Sequence, residues 1–178
     1  ASAKSDKTLE RIKNEYKVNV TKDSKEVARF ADLIVVAVKP NVYDEVLEEI
    51  KDEIDKEKIV ITIAAGKTIE SVEQIIGTDK KIIRTMPNTP ALVGEGMTSI
   101  SPNGNINEEE LTFVKGLFDS LGKSEIVSED LIHAVIGASG SSTAYAFMFI
   151  EAIADGAVLA GMKRADAYQF AAQGVLGA

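Results

Sequence analysis

Two short runs constrain this chain more than anything else in it. Residues 32–38 read Asp-Leu-Ile-Val-Val-Ala-Val, and residues 58–64 read Lys-Ile-Val-Ile-Thr-Ile-Ala. Both are nearly continuous, rich in β-branched residues and closed by a breaker, Pro40 after the first and Gly66 after the second. A strand that is apolar at every position, not at alternate ones, is expected to be buried on both faces. That is the pattern of a parallel sheet covered by helices.

The segments around these runs have helical period. Residues 6–17 place Leu9, Ile12 and Tyr16 on one stripe. Ser24 is expected to cap a short helix through residue 31, after a short strand at 18–21. Residues 42–54 form an acidic amphipathic helix with Val42, Val46 and Ile50 inward, and Thr68 caps a helix through Ile76. Further strands are expected at 81–85, 96–101 and 123–127, with a helix over 107–121. Strand and helix alternating through short loops specify an α/β fold, a Rossmann-like doubly wound parallel sheet. This domain is expected to span residues 1–128.

From Leu131 onward the texture changes. Only Glu151, Asp155, Lys163, Arg164 and Asp166 are charged. Residues 141–162 form one long helix that is apolar on almost every side, and residues 164–176 form a second, Ala-rich one. Such helices are either buried or cross a membrane. The run Ser139-Gly140-Ser141-Ser142-Thr143 is expected to interrupt the apolar stretch, and acids follow it, so burial between subunits is the expected use. Residues 129–178 are therefore read as the start of an all-helical domain that associates with itself.

Composition excludes several functions. The 178 residues carry 20 Lys plus Arg against 28 Asp plus Glu, a net charge of −8, which argues against a nucleic-acid partner. With no cysteine and a single histidine, His133, thiolate metal sites, thiol nucleophiles and a His-rich metal centre are excluded. The polar start, residues 1–6, reads as neither signal nor anchor, so a cytoplasmic location without a membrane is expected.

A doubly wound sheet binds ligands at the carboxyl ends of its strands. Four stops are candidates. Residues 1–5 offer the hydroxyls of Ser2 and Ser5 and the cation of Lys4, suited to the 2′-phosphate of NADPH, and are equally explained as a frayed terminus. Ala37, Val38, Lys39 and Pro40 let a nicotinamide ribose approach backbone, although a solvated lysine is the commoner explanation of Lys39. Ala64, Ala65 and Gly66 leave room for a flat ring, or simply turn a strand into a helix. Met86-Pro87-Asn88-Thr89-Pro90 is a stiff loop with one amide to orient a ligand, or a loop that needs only rigidity. A fifth candidate is Ser139, Gly140 and Ser141, with hydroxyls before a long helix whose free N–H groups would attract a carboxylate. No Gly-x-Gly-x-x-Gly occurs anywhere in the chain, because Gly94-Glu95-Gly96 is followed by Ser99 and not by glycine.

Taken in order, Ala37-Val38-Lys39-Pro40, Ala64-Ala65-Gly66, Arg84-Thr85-Met86-Pro87-Asn88-Thr89-Pro90 and Ala134-Val135-Ile136-Gly137-Ala138-Ser139-Gly140-Ser141-Ser142-Thr143-Ala144-Tyr145 closely resemble pyrroline-5-carboxylate reductase. The resemblance implies a Rossmann domain, a helical domain that builds a homodimer or larger ring, and hydride transfer from NADPH or NADH to pyrroline-5-carboxylate, giving L-proline. It implies that Ser2, Lys4 and Ser24 lie around the adenosine ribose, with Ser24 where the family often has Asn. It also implies that Ala37–Pro40 and 64–66 line the cofactor, and that Asn88 lies near the nicotinamide. Ser139, Gly140 and Ser141 are then expected at the substrate, and no residue is assigned as general acid. Family members begin with a strand and a Gly-rich turn before the position of Ala1 and continue beyond Ala178, so the resemblance implies an internal segment of such an enzyme, with the first βα unit absent. A non-catalytic fragment of the enzyme is one alternative. A related β-hydroxyacid dehydrogenase is another, but residues 139–161 lack the lysine such enzymes place on the inter-domain helix.

Overall fold

The two apolar runs are neighbouring strands in a computed structural model that describes all 178 residues. β1 (Leu33–Val36) pairs in parallel with β2 (Ile59–Thr62), and β2 with β3 (Lys81–Met86). β4 (Gly96–Pro102) pairs with β3 and β5 (Gly122–Ile126) with β4, giving the order β1-β2-β3-β4-β5. The expected parallel sheet holds except at one place: β4 runs antiparallel to β3. The reason is the connection. A parallel return needs a crossover of about a dozen residues or more. The segment after β3 instead folds into a single 3-10 turn, Thr89–Val93, and reverses through Gly94 in the left-handed conformation. β4 and β5 are parallel again because α5 (Glu108–Asp119), started by an Asn107–Glu110 capping box, crosses between them.

Helices cover both faces. On one face α3 (Pro40–Ile50) and α4 (Ile69–Ile76) press Tyr43, Leu47, Ile50 and Val72 onto Ile34, Val60 and Ile82. α2 (Ser24–Phe30) adds Ala28 to the same core. On the other face α5 brings Val114 and Phe118 onto Ile59, Ile61, Ile83 and Ile100. Each fully buried side chain of this size contributes about 1.5–3 kcal/mol.

Several sequence expectations change here. The buried stripe of α3 is Tyr43, Leu47 and Ile50, while Val42 and Val46 are only half-buried. The large ring of Tyr43 has more apolar surface to remove from water than Val42. β1 is not buried on both faces, since Val35 is 49% exposed. β1 is the edge strand of the sheet, and only its Leu33 packs onto the cluster that α5 covers. That leaves an open apolar groove of about 590 Å³ lined by Leu33, Val35, Ile61, Ile63, Pro87 and Leu117. No strand forms at 18–21. Thr21 makes one isolated parallel bridge to Ser2, because only residues 1–3 run beside it. α1 (Asp6–Tyr16) forms as expected but buries only Leu9.

Beyond β5 the chain is helical. A 3-10 turn at Glu129–Leu131 leads into α6 (Ile132–Val135) and a π-turn at Ile136–Gly140. α7 (Ser142–Leu159) then runs antiparallel to α8 (Arg164–Gly177), turning at Gly161 with φ 100°. The two helices approach on Ala154, Ala167 and Ala171, all buried, and Arg164 pairs with Asp155 at the turn. The Gly/Ser run expected to break the apolar stretch bends it without breaking it. The Ser141 N–H reaches back five residues to the Ile136 carbonyl at 2.8 Å, so one wide turn absorbs the glycines. The resulting run, Glu129–Leu159, is 31 residues long with mean hydropathy 1.3 and is long and apolar enough to cross a membrane.

Candidate functional site: the strand-end edge and the π-turn

Register places three candidate segments together. Val36 pairs with Thr62, and Thr62 with Arg84. The chain therefore leaves β1, β2 and β3 at one edge of the sheet, through 37–40, 64–66 and 86–88. Ala37 is exposed, Val38 half-buried and Lys39 exposed. Lys39 precedes α3, and Pro40 takes its first position, where the missing N–H costs nothing. Ala64 is buried, while Ala65 and Gly66 are open. Gly66 has φ 79°, and a Cβ built on it meets no heavy atom within 4 Å. That backbone can therefore be approached closely from outside.

The edge is stiffened from below. Thr62 Oγ1 accepts from the Ala64 N–H at 3.3 Å, and Thr85 Oγ1 donates to the Thr62 carbonyl at 3.1 Å. The Tyr43 hydroxyl is buried beneath β2. Loss of solvent pushes that phenol up to about 12, against the opposing pull of Thr62, so it stays neutral at physiological pH. Lys67 Nζ lies 2.7 Å from both Asp44 oxygens and 5.7 Å from the centre of the Tyr43 ring. That pair ties the loop after β2 to the first turns of α3.

Asn88 is committed at both ends of its amide. Oδ1 accepts from the Met97 N–H at 2.8 Å, and Nδ2 donates to the Ser139 carbonyl at 3.2 Å. It fastens the stiff loop to β4 and to the π-turn, which corrects the expectation of an amide free to orient a ligand. Gly140 packs beside Met86, whose Cε lies 4.0 Å from where a Gly140 Cβ would stand. Ser139 Oγ donates to the Val135 carbonyl at 3.1 Å and Ser142 Oγ to the Ser139 carbonyl at 3.3 Å. Ser141 has helical dihedrals and caps nothing with its side chain. The π-turn thus stands against the end of β3, where an open helix end had been expected.

Ser2, Lys4 and Ser24 gather beside α2 and α3, away from this contact set. Ser2 Oγ lies 3.4 Å from Ser24 Oγ, and Lys4 Nζ lies 2.8 Å from Glu45 of α3. The Glu45 hydrogen bond and charge hold the Lys4 ammonium above its ordinary value, and Lys4 in turn holds Glu45 below the usual carboxylate range. Both side chains are exposed, so the pair is weak and readily exchanged for another anion. Ser24 is not the cap of α2. Asp23 caps it, accepting from the N–H groups of Lys25 and Glu26. Ionised Asp is the better partner for a helix N-terminus.

Sequence reasoning missed Glu129, which meets Arg84 at 2.8 Å. A signal was present, because an arginine between Ile83 and Thr85 of a buried strand needs a counter-charge.

Comparison with known proteins agrees with this geometry. Residues 1–66 match the family described as NADP oxidoreductase, coenzyme F420-dependent, and residues 129–178 match pyrroline-5-carboxylate reductase dimerisation. The pyrroline-5-carboxylate reductase of Escherichia coli K12 is 49% identical over 166 residues, covering 93% of this chain and 62% of that protein. The solved pyrroline-5-carboxylate reductase of Coxiella burnetii superposes with a TM-score of 0.95 at 32% identity, over 99% of this chain and 66% of that one. The Plasmodium falciparum pyrroline carboxylate reductase, solved with NADP bound, superposes at 0.84 with 34% identity, over 90% of this chain and 61% of that one. The chain spans about three-fifths of the length of the curated relatives it matches. By sequence, by fold and by the order of its strand-end segments, the chain belongs to the pyrroline-5-carboxylate reductase family.

Proposed function

We propose that this chain serves the reduction of 1-pyrroline-5-carboxylate to L-proline by hydride transfer from NADPH or NADH, the last step of proline biosynthesis. The observation that carries the reading is the meeting of the strand-end edge with the π-turn, at Met86 and Asn88 against Ser139 and Gly140.

The residues present fit a dinucleotide. Gly66 offers open backbone with nothing above it, Ala37 and Ala65 are small and exposed, and the Ser2–Ser24 hydroxyls and Lys4 form a polar corner for a ribose and its phosphate. When bound, the nicotinamide supplies the hydride. Val38, Lys39, Pro40 and Ala64 flank its approach, and Asn88 holds the loop beside it in place. Ser139, Gly140 and Ser141 present the substrate-facing turn. A protonated imine accepts hydride readily, so positioning is the main task left to the chain.

The NADP seen in the Plasmodium falciparum relative supports the cofactor. The exposed apolar surface of α7 and α8, including Tyr145, Phe147, Phe149 and Phe170, supports a homodimer through these helices. The dimerisation match over the same residues supports burial of Glu129–Leu159 between subunits and not in a membrane.

The test is loss of NADPH absorbance with and without pyrroline-5-carboxylate, on the protein that carries this chain. Consumption that depends on the imine is expected. A folded, NADPH-binding protein with no imine-dependent consumption would sink the reading.

A further inference from the structure

Arg84 is the most enclosed cation of the sheet, with its side chain 10% exposed. It projects from β3 two residues before Met86. Its Nη1 donates to Glu129 Oε1 at 2.8 Å, and the same oxygen accepts from the N–H of Ile69 at 2.8 Å. Glu129 opens the 3-10 turn where the helical domain begins, and Ile69 is the first residue of α4, directly after the 64–68 loop. One carboxylate oxygen therefore joins three things: the strand that delivers Met86 and Asn88, the helix that follows Ala64–Gly66, and the root of the segment that carries the π-turn.

The only other polar bridge described here between the sheet and that segment is Asn88 to the Ser139 carbonyl. The two bridges hold opposite ends of the stretch 129–139. With both in place, the π-turn has one position over the strand ends. Without Glu129 the polar hold on the stretch falls to Asn88 alone, beside the packing of buried Ile132, and Arg84 is left enclosed without its counter-charge.

We propose that Glu129 is a positioning residue for hydride transfer, latching the helical domain to the strand-end edge through Arg84 and the Ile69 N–H and so setting the gap between nicotinamide and imine. The proposal rests on the reductase reading above. It predicts a particular kinetic signature. A displacement of about 1 Å at a reacting centre costs on the order of 100-fold in rate. The cofactor-side edge keeps its own hydrogen bonds through Thr62 and Thr85, so cofactor affinity is expected to change less than the rate of transfer.

The experiment compares Glu129→Ala and Glu129→Gln with the parent protein. For Glu129→Ala the expected result is a kcat lower by about 10- to 100-fold, a KM for NADPH that changes less than kcat, and a larger primary isotope effect with NADPH deuterated at C4. Glu129→Gln keeps an acceptor for both donors and is expected to recover much of kcat. A lower melting temperature with kcat and isotope effect unchanged would overturn the proposal, and so would a change confined to KM. If the Ala variant does not fold, Glu129→Asp, one methylene too short to meet both Arg84 and the Ile69 N–H, is judged by the same criteria against the parent. Hydrogen exchange gives a readout that needs no turnover. Faster exchange at the Ile69 and Ser141 amides in Glu129→Ala, with the β2–β3 ladder unchanged, is expected. Unchanged exchange there would also overturn the latch. A parent protein without imine turnover would overturn the reductase reading, while the exchange result would still decide whether Glu129 holds the two domains together.

Discussion

The sheet and the helical pair solve the same problem in opposite ways. In residues 1–128 the large apolar side chains face one another, as Tyr43, Leu47 and Ile50 do against Val60 and Ile82. In residues 129–178 the buried set shared by α7 and α8 is three alanines, while Phe147, Met148, Phe149 and Phe170 stand in solvent. Small residues bring α7 and α8 together, and the large ones are left outward for another surface. The contrast teaches that apolar content alone does not make a core. The sheet is covered on the α3–α4 face, whereas the helical pair leaves its large apolar side chains exposed.

The strongest way to break the comparison lies inside the sheet. Gly122 has φ 140°, and a Cβ on it would stand 2.1 Å from the Gly96 carbonyl oxygen. Gly122→Ala must therefore displace β5 from β4, and a loss above about 4 kcal/mol is expected. Chemical denaturation monitored by circular dichroism checks it; a midpoint near that of the parent would show that the strand pair tolerates the shift. The next effect belongs to the helices. Phe147→Asp places a charge on the outward face of α7, where Phe147 is 67% exposed. A dimer in the parent and a monomer in the variant, by sedimentation at equal concentration, with an unchanged melting transition of the sheet, is the expected outcome. Retention of the dimer would remove α7 from the interface.

A smaller effect separates neighbours on α2. Asp23→Ala removes the cap and is expected to cost about 1 kcal/mol, while Ser24→Ala is expected to cost little. Equal losses in thermal melts would return the cap to Ser24. The smallest concerns acid. Asp119 accepts from Ser124 Oγ at 2.6 Å, from the Ser124 N–H at 2.8 Å and from Lys115 at 2.9 Å. The Ser124 hydroxyl first, then Lys115, holds its folded carboxyl below the usual range. Its contribution is complete above the unfolded carboxylate value of about 4 and is lost as pH falls through the lowered folded value. Asp119→Asn is therefore expected to flatten the acid limb of the melting temperature against pH, and an unchanged slope would count against this role.

Much of the site was legible because strand ends obey a general rule. Ala64, Ala65 and Gly66 follow a buried run, and parallel strands put their carboxyl ends at one edge. Continuous apolar runs, helical period and capping residues located β2, β3, α4 and α5 within a residue or two. Roles that depend on a partner far along the chain were not legible. Asn88 looked free because nothing local shows that Met97 and Ser139 hold its amide. Glu129 looked like one acid among many, because its partner lies on β3. Ser24 was a fair cap by type, but Asp23 stood one position earlier with the stronger charge.

The sequence by itself determined where most strands and helices lie and that the last fifty residues are apolar and nearly uncharged, since these follow from local period and apolar content. Tertiary structure alone decided that β4 reverses, that β1 stays open on one face, that the Gly/Ser run continues as a π-turn, and that Glu129 closes on Arg84. Each depends on how long a connection is or on what lies across the sheet, and neither is written in the residues on the spot.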